Sequence, residues 1–204
     1  MILHQTLAQA RGGSREVRKP QFVGRITDLI VPDESSPAPR PQAFLVEQSA
    51  HWTLPTHFHQ EHQFQLFVAG GGTIGKRPVE PLAVHYASPH SGYGPLVSAG
   101  EGIAYLTLRA VGDTGAWYLP EERENNLRIP KVQAHGAPQE RVSAQALAGL
   151  PSATVEVLIA PAGDGPAAWL LRLGAGQQVA QPQGQALRLT LLFRLEDLKA
   201  LGII

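Results

Sequence analysis

The chain has 204 residues, with 17 basic and 17 acidic side chains and no cysteine. The balanced charge gives no electrostatic reason to expect nucleic acid as a partner, and the lack of cysteine excludes thiolate metal sites, disulfides and thiol nucleophiles. No apolar run reaches the roughly 18 residues of a membrane span, and the first residues lack the apolar core of a secretory signal. We therefore expect a cytoplasmic protein with neither nucleic acid nor a membrane as a partner.

The first half of the chain is predicted to be a loose arm followed by strands. Residues 1–41 contain four prolines among their last eleven positions, which excludes regular structure there. Apolar runs rich in branched and aromatic residues, or alternating with small and polar ones, predict strands at 43–48, 63–69 and 102–110. We interpret 1–41 as an N-terminal arm with a proline-rich loop, and 42–112 as one β-domain.

The second half of the chain loses the apolar pattern and then recovers it. Residues 113–141 show no periodicity and are interpreted as a linker. Within 142–204, apolar runs predict strands at 153–160, 168–173 and 186–193. The 21 glycines and 17 prolines are typical of many short strands joined by turns. The pattern predicts a mostly β fold, a sandwich or barrel with few short helices.

Histidine is the residue type that points to function, because six of the eight histidines lie between His51 and His90. On a strand, His57 and His59 project from the same face at a spacing of about 7 Å. Two imidazoles at that spacing can converge on one ion. Neutral imidazole is the commonest protein ligand of transition metals, so the cluster predicts a divalent metal site for Fe, Mn, Ni or Zn.

The segment around these histidines resembles the first sequence motif of the cupin family. That motif is a His-x-His pair, a glutamate a few residues later and then a glycine. His57 and His59 match the pair, Gln63 stands where the glutamate is usual, and Gly70 matches the closing glycine. The resemblance implies a metal-binding cupin-type β-barrel, or double-stranded jelly roll, over 42–112, with His57, His59 and Gln63 as metal ligands.

The second cupin motif, Pro-x-Gly-x-x-His, supplies a further histidine ligand. The matching stretch, 84–95, contains His85 and His90, and neither has the complete motif around it. We favour His90 as the fourth metal ligand because the small Ala87 stands where the glycine would be and a turn follows. His85 stays open as the alternative.

The resemblance also implies a range of functions that the fold alone does not narrow. A metal-dependent enzyme acting on a small organic substrate, of dioxygenase, isomerase or lyase type, is one interpretation. In it, Glu61 is the nearest carboxylate for proton transfer and Tyr93 contacts the substrate at the barrel mouth. A non-catalytic sensor or small-molecule-binding cupin is the alternative.

The last third of the chain shows a faint internal repeat. We interpret 142–204 as a degenerate second cupin-like segment that has lost its ligands and either packs on the barrel or forms the face of a homodimer. We therefore expect no metal site within 112–204.

A different motif overlaps the same histidines. The order His57, His59, Glu61, His62 resembles the His-x-His-x-Asp-His motif of metallo-β-lactamase-like hydrolases. The strand-like run that follows, and glutamate in place of aspartate, disfavour that interpretation. It requires His62 and Glu61 at the metal, so the position of His62 distinguishes the two.

Overall fold

A computed structural model describes residues 6–31, 41–141, 143–163, 165–174 and 176–178. The predicted strand 186–193 and most of the proline-rich loop lie outside these residues. Within the described residues, no helix is long and apolar enough to cross a bilayer.

The described residues form thirteen strands and two α-helices. In chain order, the elements before residue 80 are α1 (Leu7–Ala10), β1 (Arg15–Lys19), β2 (Phe22–Ile30), β3 (Gln42–Gln48), β4 (Thr53–Leu54), β5 (His57–Phe58), β6 (Gln63–Ile74) and β7 (Arg77–Val79). The later elements are β8 (Val84–Ala87), β9 (Leu96–Arg109), β10 (Trp117–Tyr118), β11 (Gln133–Gly136), α2 (Ala144–Ala148), β12 (Thr154–Ile159) and β13 (Ala168–Arg172).

One large antiparallel sheet carries most of the strands, in the order β1-β2-β3-β9-β6-β8-β11, with β4 beside β9 and β7 beside β6. Its two longest strands, β6 and β9, pair through the registers Gln63–Arg109, Gln65–Thr107 and Phe67–Tyr105. Because side chains alternate along a strand, these residues share one face of the sheet. That face is the inside of the barrel.

A second, smaller layer lies over the inner face. In it, β5 pairs with β10, and His57 forms an isolated antiparallel bridge with Tyr93. Two backbone hydrogen bonds, of 3.1 and 2.9 Å, join His57 and Tyr93 in this bridge. The result is a two-layer antiparallel barrel of the jelly-roll kind with short helices only, which confirms the expected mostly β fold class.

Both faces of the large sheet are buried in apolar clusters. The inner cluster includes Phe67, Leu96 and Tyr105, and the outer one includes Leu45 and Val68. Burying each side chain of this size stabilises the fold by about 1.5–3 kcal/mol. The inner apolar cluster fills most of the barrel, so the polar side chains at its end stand out as a separate feature.

Gly70, the closing glycine of the first motif, lies where β6 bends against β9. Its φ is 67°, and a Cβ there would lie 2.2 Å from the backbone oxygen of Gly102. Neither the conformation nor the contact admits a side chain easily. The glycine therefore permits the close approach of the two long strands at this point.

The segment interpreted as a linker, 113–141, is instead part of the barrel. Its strand β10 pairs with β5, and its strand β11 pairs with β8. Strands of two and four residues are too short to show a period of two, so they are not detectable as an apolar pattern. Further on, β12 and β13 pair as a hairpin, and Ile159 packs on Val84 and Tyr86. A second cupin-like unit over 142–204 stays a prediction.

Candidate metal-binding site

Five polar side chains meet inside one end of the barrel, where each is almost fully buried. They are His57 (3% exposed), His59 (8%), Gln63 (1%), Tyr93 (3%) and Arg109 (5%). The two histidines come from β5 and the residue after it, Gln63 begins β6, and Arg109 ends β9. Buried polar groups are costly without hydrogen bonds, so their partners define the site.

Four of these side chains form a hydrogen-bond chain with a fixed direction. Arg109 donates to the side-chain oxygen of Gln63 from Nε (3.1 Å) and Nη2 (2.8 Å), and Gln63 Nε2 donates to the Tyr93 hydroxyl. The hydroxyl donates to Nε2 of His57 at 2.9 Å, and Nδ1 of His57 donates to the carbonyl of Pro55 at 2.8 Å. Arginine can only donate and a carbonyl can only accept, so every proton in between is determined.

This chain of hydrogen bonds makes His57 a neutral imidazole with its proton on Nδ1. Burial, and then the neighbouring His59, lower the pKa of His57 to about 3. Burial likewise raises the pKa of the Tyr93 hydroxyl above its ordinary value. Both groups are therefore uncharged at neutral pH, and the inward nitrogen of His57 carries a lone pair.

His59 is held by a carboxylate on its outer side. Its Nδ1 donates to Oδ2 of Asp113 at 2.9 Å, and Asp113 also accepts from the backbone nitrogens of Gln60 and Gly115, each at 3.3 Å. Burial lowers the pKa of His59, against the opposing effect of Asp113. Burial alone would raise the pKa of Asp113, but the bond from His59 and the charge of Arg109 outweigh it and lower that pKa. The pair is a neutral imidazole on an ionised carboxylate.

Arg109 lies over the ring of His59. Its Nη2 is 3.0 Å from Nδ1 and 3.3 Å from Nε2 of that ring. A point at similar distances from both ring nitrogens cannot lie along the lone-pair axis of either one, so the guanidinium sits on the ring face. The lone pair of His59 Nε2 is therefore not taken by Arg109. Nη1 of Arg109 donates at 2.7 Å to Gln42.

The two histidines fit a transition metal. Their rings lie 5.3 Å apart at an angle of 89°. Each ring donates from Nδ1 to an acceptor, so each Nε2 carries a lone pair, and that of His57 accepts from the Tyr93 hydroxyl. A metal-binding histidine almost always donates its other N–H to a carboxylate or a carbonyl in this way. In the part of the chain that the structure describes, no group of three or more histidine, aspartate and glutamate side chains is placed to hold a metal. If His57 and His59 were to hold a metal, a third protein ligand among the described residues would have to be of another residue type.

Gln63, expected as a metal ligand, is in the cluster but turned the other way. Its oxygen faces Arg109, and its amide nitrogen faces Tyr93. If the amide oxygen and nitrogen of Gln63 were exchanged, the NH2 group would face the guanidinium, and two donors would then lie against each other without an acceptor. In this structure Gln63 positions Tyr93 rather than offering an oxygen between the two histidines.

His90, the favoured fourth ligand, is not brought to the cluster. It packs on Phe58, with ring centroids 5.4 Å apart, and its Nδ1 accepts from the backbone nitrogen of Leu127 at 3.4 Å. Phe58 lies between His57 and His59 in sequence, so it projects from the opposite face of the strand. The positive φ of His90, 59°, is the conformation of a glycine. If His90 takes the glycine position of the Pro-x-Gly-x-x-His motif, the proline position falls on Ser88 and the histidine position on Tyr93.

His85, the alternative ligand, lies behind Tyr93. Its Nδ1 donates to the side-chain oxygen of Gln65 at 2.9 Å, and its ring meets that of Tyr93 edge-on at 4.8 Å. On its other side it stacks on His135 at 4.4 Å. Its Nε2 is buried with no hydrogen-bond partner. His85 therefore supports the tyrosine ring.

Glu61 and His62 lie in the turn before β6. Burial, and then the charge of Asp113, raise the pKa of Glu61. His62 turns to the outer face, where Nδ1 bonds the hydroxyl of Tyr86 at 2.6 Å. His62 is thus apart from the cluster, unlike in the metallo-β-lactamase-like arrangement.

Two residues of the site, Arg109 and Asp113, were missed by the sequence analysis. Arg109 had a detectable signal, because it alternates with Tyr105 and Thr107 along a predicted strand and so points to the same inner face. A charge at an inward position indicates a functional or paired group. Asp113 had no such signal, since its contact with His59 joins two loops 54 residues apart.

Comparisons with known proteins give a limited likeness. No family model matches the chain, and no curated protein does. Among solved structures it is similar to a Bacillus subtilis oxalate decarboxylase described for its Mn(II) centres, with a TM-score of 0.42 and 13% identity over 53% of this chain and 31% of that one.

Two further oxalate decarboxylase structures are similar to the same extent. One, described for its substrate binding mode, has a TM-score of 0.41 and 14% identity over 70% of this chain and 45% of that one. The other, a single-substitution variant of the Bacillus subtilis protein, has a TM-score of 0.39 and 16% identity over 57% and 34%. The chain spans less than half the length of each of these three proteins.

Proposed function

We propose that this protein binds a divalent transition metal ion through Nε2 of His57 and Nε2 of His59, next to a pocket for a small-molecule ligand or substrate. The observation that carries the proposal is the anchoring of both outer nitrogens, by the Pro55 carbonyl and by Asp113. That anchoring fixes both tautomers with the inward nitrogen unprotonated, which is the form that binds metal. Iron, manganese, nickel and zinc all suit imidazole ligands.

The charges around the site favour a small organic anion as the ligand class. Arg109 is a buried cation whose bonded oxygens belong to the neutral amides of Gln63 and Gln42. The ionised Asp113 balances one charge, whereas the guanidinium and a divalent ion supply three, so the buried cluster keeps a net positive charge even with Tyr93 as a phenolate. A bound metal would supply Lewis acidity, and Glu61 is the carboxylate we propose for moving a proton there. Dioxygenase, isomerase and lyase reactions all remain within this proposal.

A non-catalytic, metal-free small-molecule-binding site is the second candidate. One observation favours it: the hydrogen-bond chain from Arg109 to Pro55 is complete without an ion, because the Tyr93 hydroxyl satisfies Nε2 of His57. The two candidates differ in whether a metal displaces that bond.

Metal content distinguishes them. Protein purified without a histidine tag is dialysed against zinc or manganese, and metal per chain is measured for the wild type, His57→Ala, His59→Ala and His62→Ala. The metal-site proposal expects one ion per chain in the wild type, loss of the ion in the first two variants and its retention in His62→Ala, because His62 bonds Tyr86 on the outer face. A wild type that binds no metal would select the metal-free candidate. Loss of the ion in His62→Ala would contradict the assignment of ligands.

The expected homodimer is also part of this proposal. Light scattering of the purified full chain tests it by giving the mass in solution.

A further inference from the structure

The site has two anchored imidazoles and needs a third donor, because two protein ligands rarely hold a transition metal tightly. No other histidine, aspartate or glutamate in the described part of the chain completes a group of three. Gln63 directs its oxygen at Arg109, and His90 lies on the Phe58 side. His85 bonds Gln65 and packs edge-on against the ring of Tyr93, whereas the hydroxyl oxygen of Tyr93 contacts Nε2 of His57 directly.

We propose that Tyr93 is the third protein ligand of the metal, through its phenolate oxygen. The inference rests on the proposed metal site and adds the identity of its third donor. The hydroxyl oxygen lies 2.9 Å from Nε2 of His57. Two neighbouring ligands at right angles on an ion, each with a bond of about 2.1 Å, lie about 3 Å apart. The two atoms are thus already spaced as adjacent ligands.

The hydrogen bonds around Tyr93 are compatible with this change. The hydrogen bond between Nε2 of His57 and the Tyr93 oxygen would be replaced by one bond from each atom to the metal, which would lie to one side of the line that joins them. The phenol O–H bond breaks, an oxygen–metal bond forms, and the proton leaves to solvent, so that one proton is released for each ion bound. The hydrogen bond that Gln63 donates to the same oxygen is kept, and it stabilises a phenolate better than a phenol.

The position of Tyr93 is also rigid. The paired backbone hydrogen bonds between His57 and Tyr93 hold the two residues side by side. The ring of His85 packs edge-on against the tyrosine ring from behind. This rigidity favours metal binding, because little conformational entropy is lost when the Tyr93 side chain becomes a ligand.

A phenolate ligand gives ferric iron a visible charge-transfer absorption, which an imidazole-only site lacks. The experiment loads the wild type, Tyr93→Phe and Tyr118→Phe with ferric iron from a weak chelate and records visible spectra together with iron per chain. Tyr118 is the matched control, because its ring lies 5.7 Å from that of His57 on the neighbouring strand β10. We expect a visible band in the wild type and in Tyr118→Phe, and no band in Tyr93→Phe. We also expect the zinc affinity of Tyr93→Phe to be lower by about tenfold or more.

A second measurement needs no variant. Adding zinc to the wild type should give the ultraviolet difference spectrum of one ionised tyrosine per ion. Iron or zinc binding without either tyrosinate spectrum would overturn the role of Tyr93 and leave the histidine site standing. A band that persists in Tyr93→Phe, or that disappears in Tyr118→Phe, would also overturn it. A wild type that binds neither ion would overturn the metal site and the tyrosine ligand together.

Discussion

The guanidinium of Arg109 lies 2.8 Å from the side-chain oxygen of Gln63, its cross-strand partner in the barrel. This contact fixes the amide of Gln63, which in turn fixes the hydroxyl of Tyr93. The lone pairs that an ion could use are therefore determined by an arginine that does not itself bind metal.

Arg109→Met should destabilise the fold by about 2–4 kcal/mol, because it leaves the buried side-chain oxygen of Gln63 without a donor and removes the cation near Asp113. Urea unfolding monitored by circular dichroism measures the change. Arg141→Met is the control: Arg141 pairs with Glu80 at the exposed surface, and its loss should cost less than about 1 kcal/mol. Equal effects of the two substitutions would show that the buried network adds no stability.

Asp113→Asn should weaken metal binding by about 10–100-fold while the protein stays folded. The amide that replaces the carboxylate either accepts a weaker hydrogen bond from His59 or favours the wrong tautomer. Competition with a coloured chelator gives the dissociation constant. Glu80→Gln, which changes an exposed carboxylate, should leave the constant unchanged, and an unchanged constant in Asp113→Asn would refute the anchoring role.

Gln63→Glu should retain or tighten metal binding. The new carboxylate can still accept from Arg109 and brings a negative charge close to the ion, which we expect to outweigh the hydrogen bond to Tyr93 that it no longer donates. The same chelator competition measures the affinity, with Gln63→Leu as the comparison that removes all three hydrogen bonds of the side chain. Weaker binding in Gln63→Glu than in Gln63→Leu would contradict this prediction.

Acid should destabilise the metal-free protein partly through His85. Burial, and then His135, lower the pKa of His85 to about 3, against an ordinary value of 6.5. Between these values the unfolded chain binds a proton that the folded His85 does not, so the free energy of unfolding falls as pH drops from 6.5 towards 3. One such group contributes a slope of up to about 1.4 kcal/mol per pH unit.

The variant His85→Phe tests this dependence. It should cost about 1–3 kcal/mol at neutral pH, because Gln65 loses its donor, and its stability should vary less with pH. Phe64→Leu, a destabilised variant with no titrating group changed, should keep the wild-type slope in denaturant unfolding across pH 4–7. The same slope in His85→Phe as in wild type would assign the acid sensitivity to other groups.

The alternation of side chains was sufficient to predict part of the site. His57 and His59, two residues apart, do lie in one buried cluster, and the strand at 102–110 does carry an inward face, as a period of two requires. Both predictions rest on local geometry that a few residues determine. The mostly β fold followed from the same pattern.

The rest of the site depends on features that no local pattern shows. His90 adopts a positive φ that is uncommon outside glycine, and this moves the motif position from His90 to Tyr93. Asp113 reaches His59 from a segment without periodicity, and its partner is 54 residues away. Such contacts are determined by the complete fold.

The Gln63–Arg109 pair also affects which pairing of strands the chain can adopt. A shift of β6 by one residue against β9 would turn every side chain of β6 to the opposite face. Phe64 would then lie among buried hydrogen-bonding groups, and the amide of Gln63 would lie in the outer apolar cluster without partners. Each unsatisfied group would cost about 1–3 kcal/mol. The polar cluster therefore favours the correct register of the two longest strands over registers that are shifted by one residue. An interior of apolar side chains alone would separate these registers by a smaller free energy.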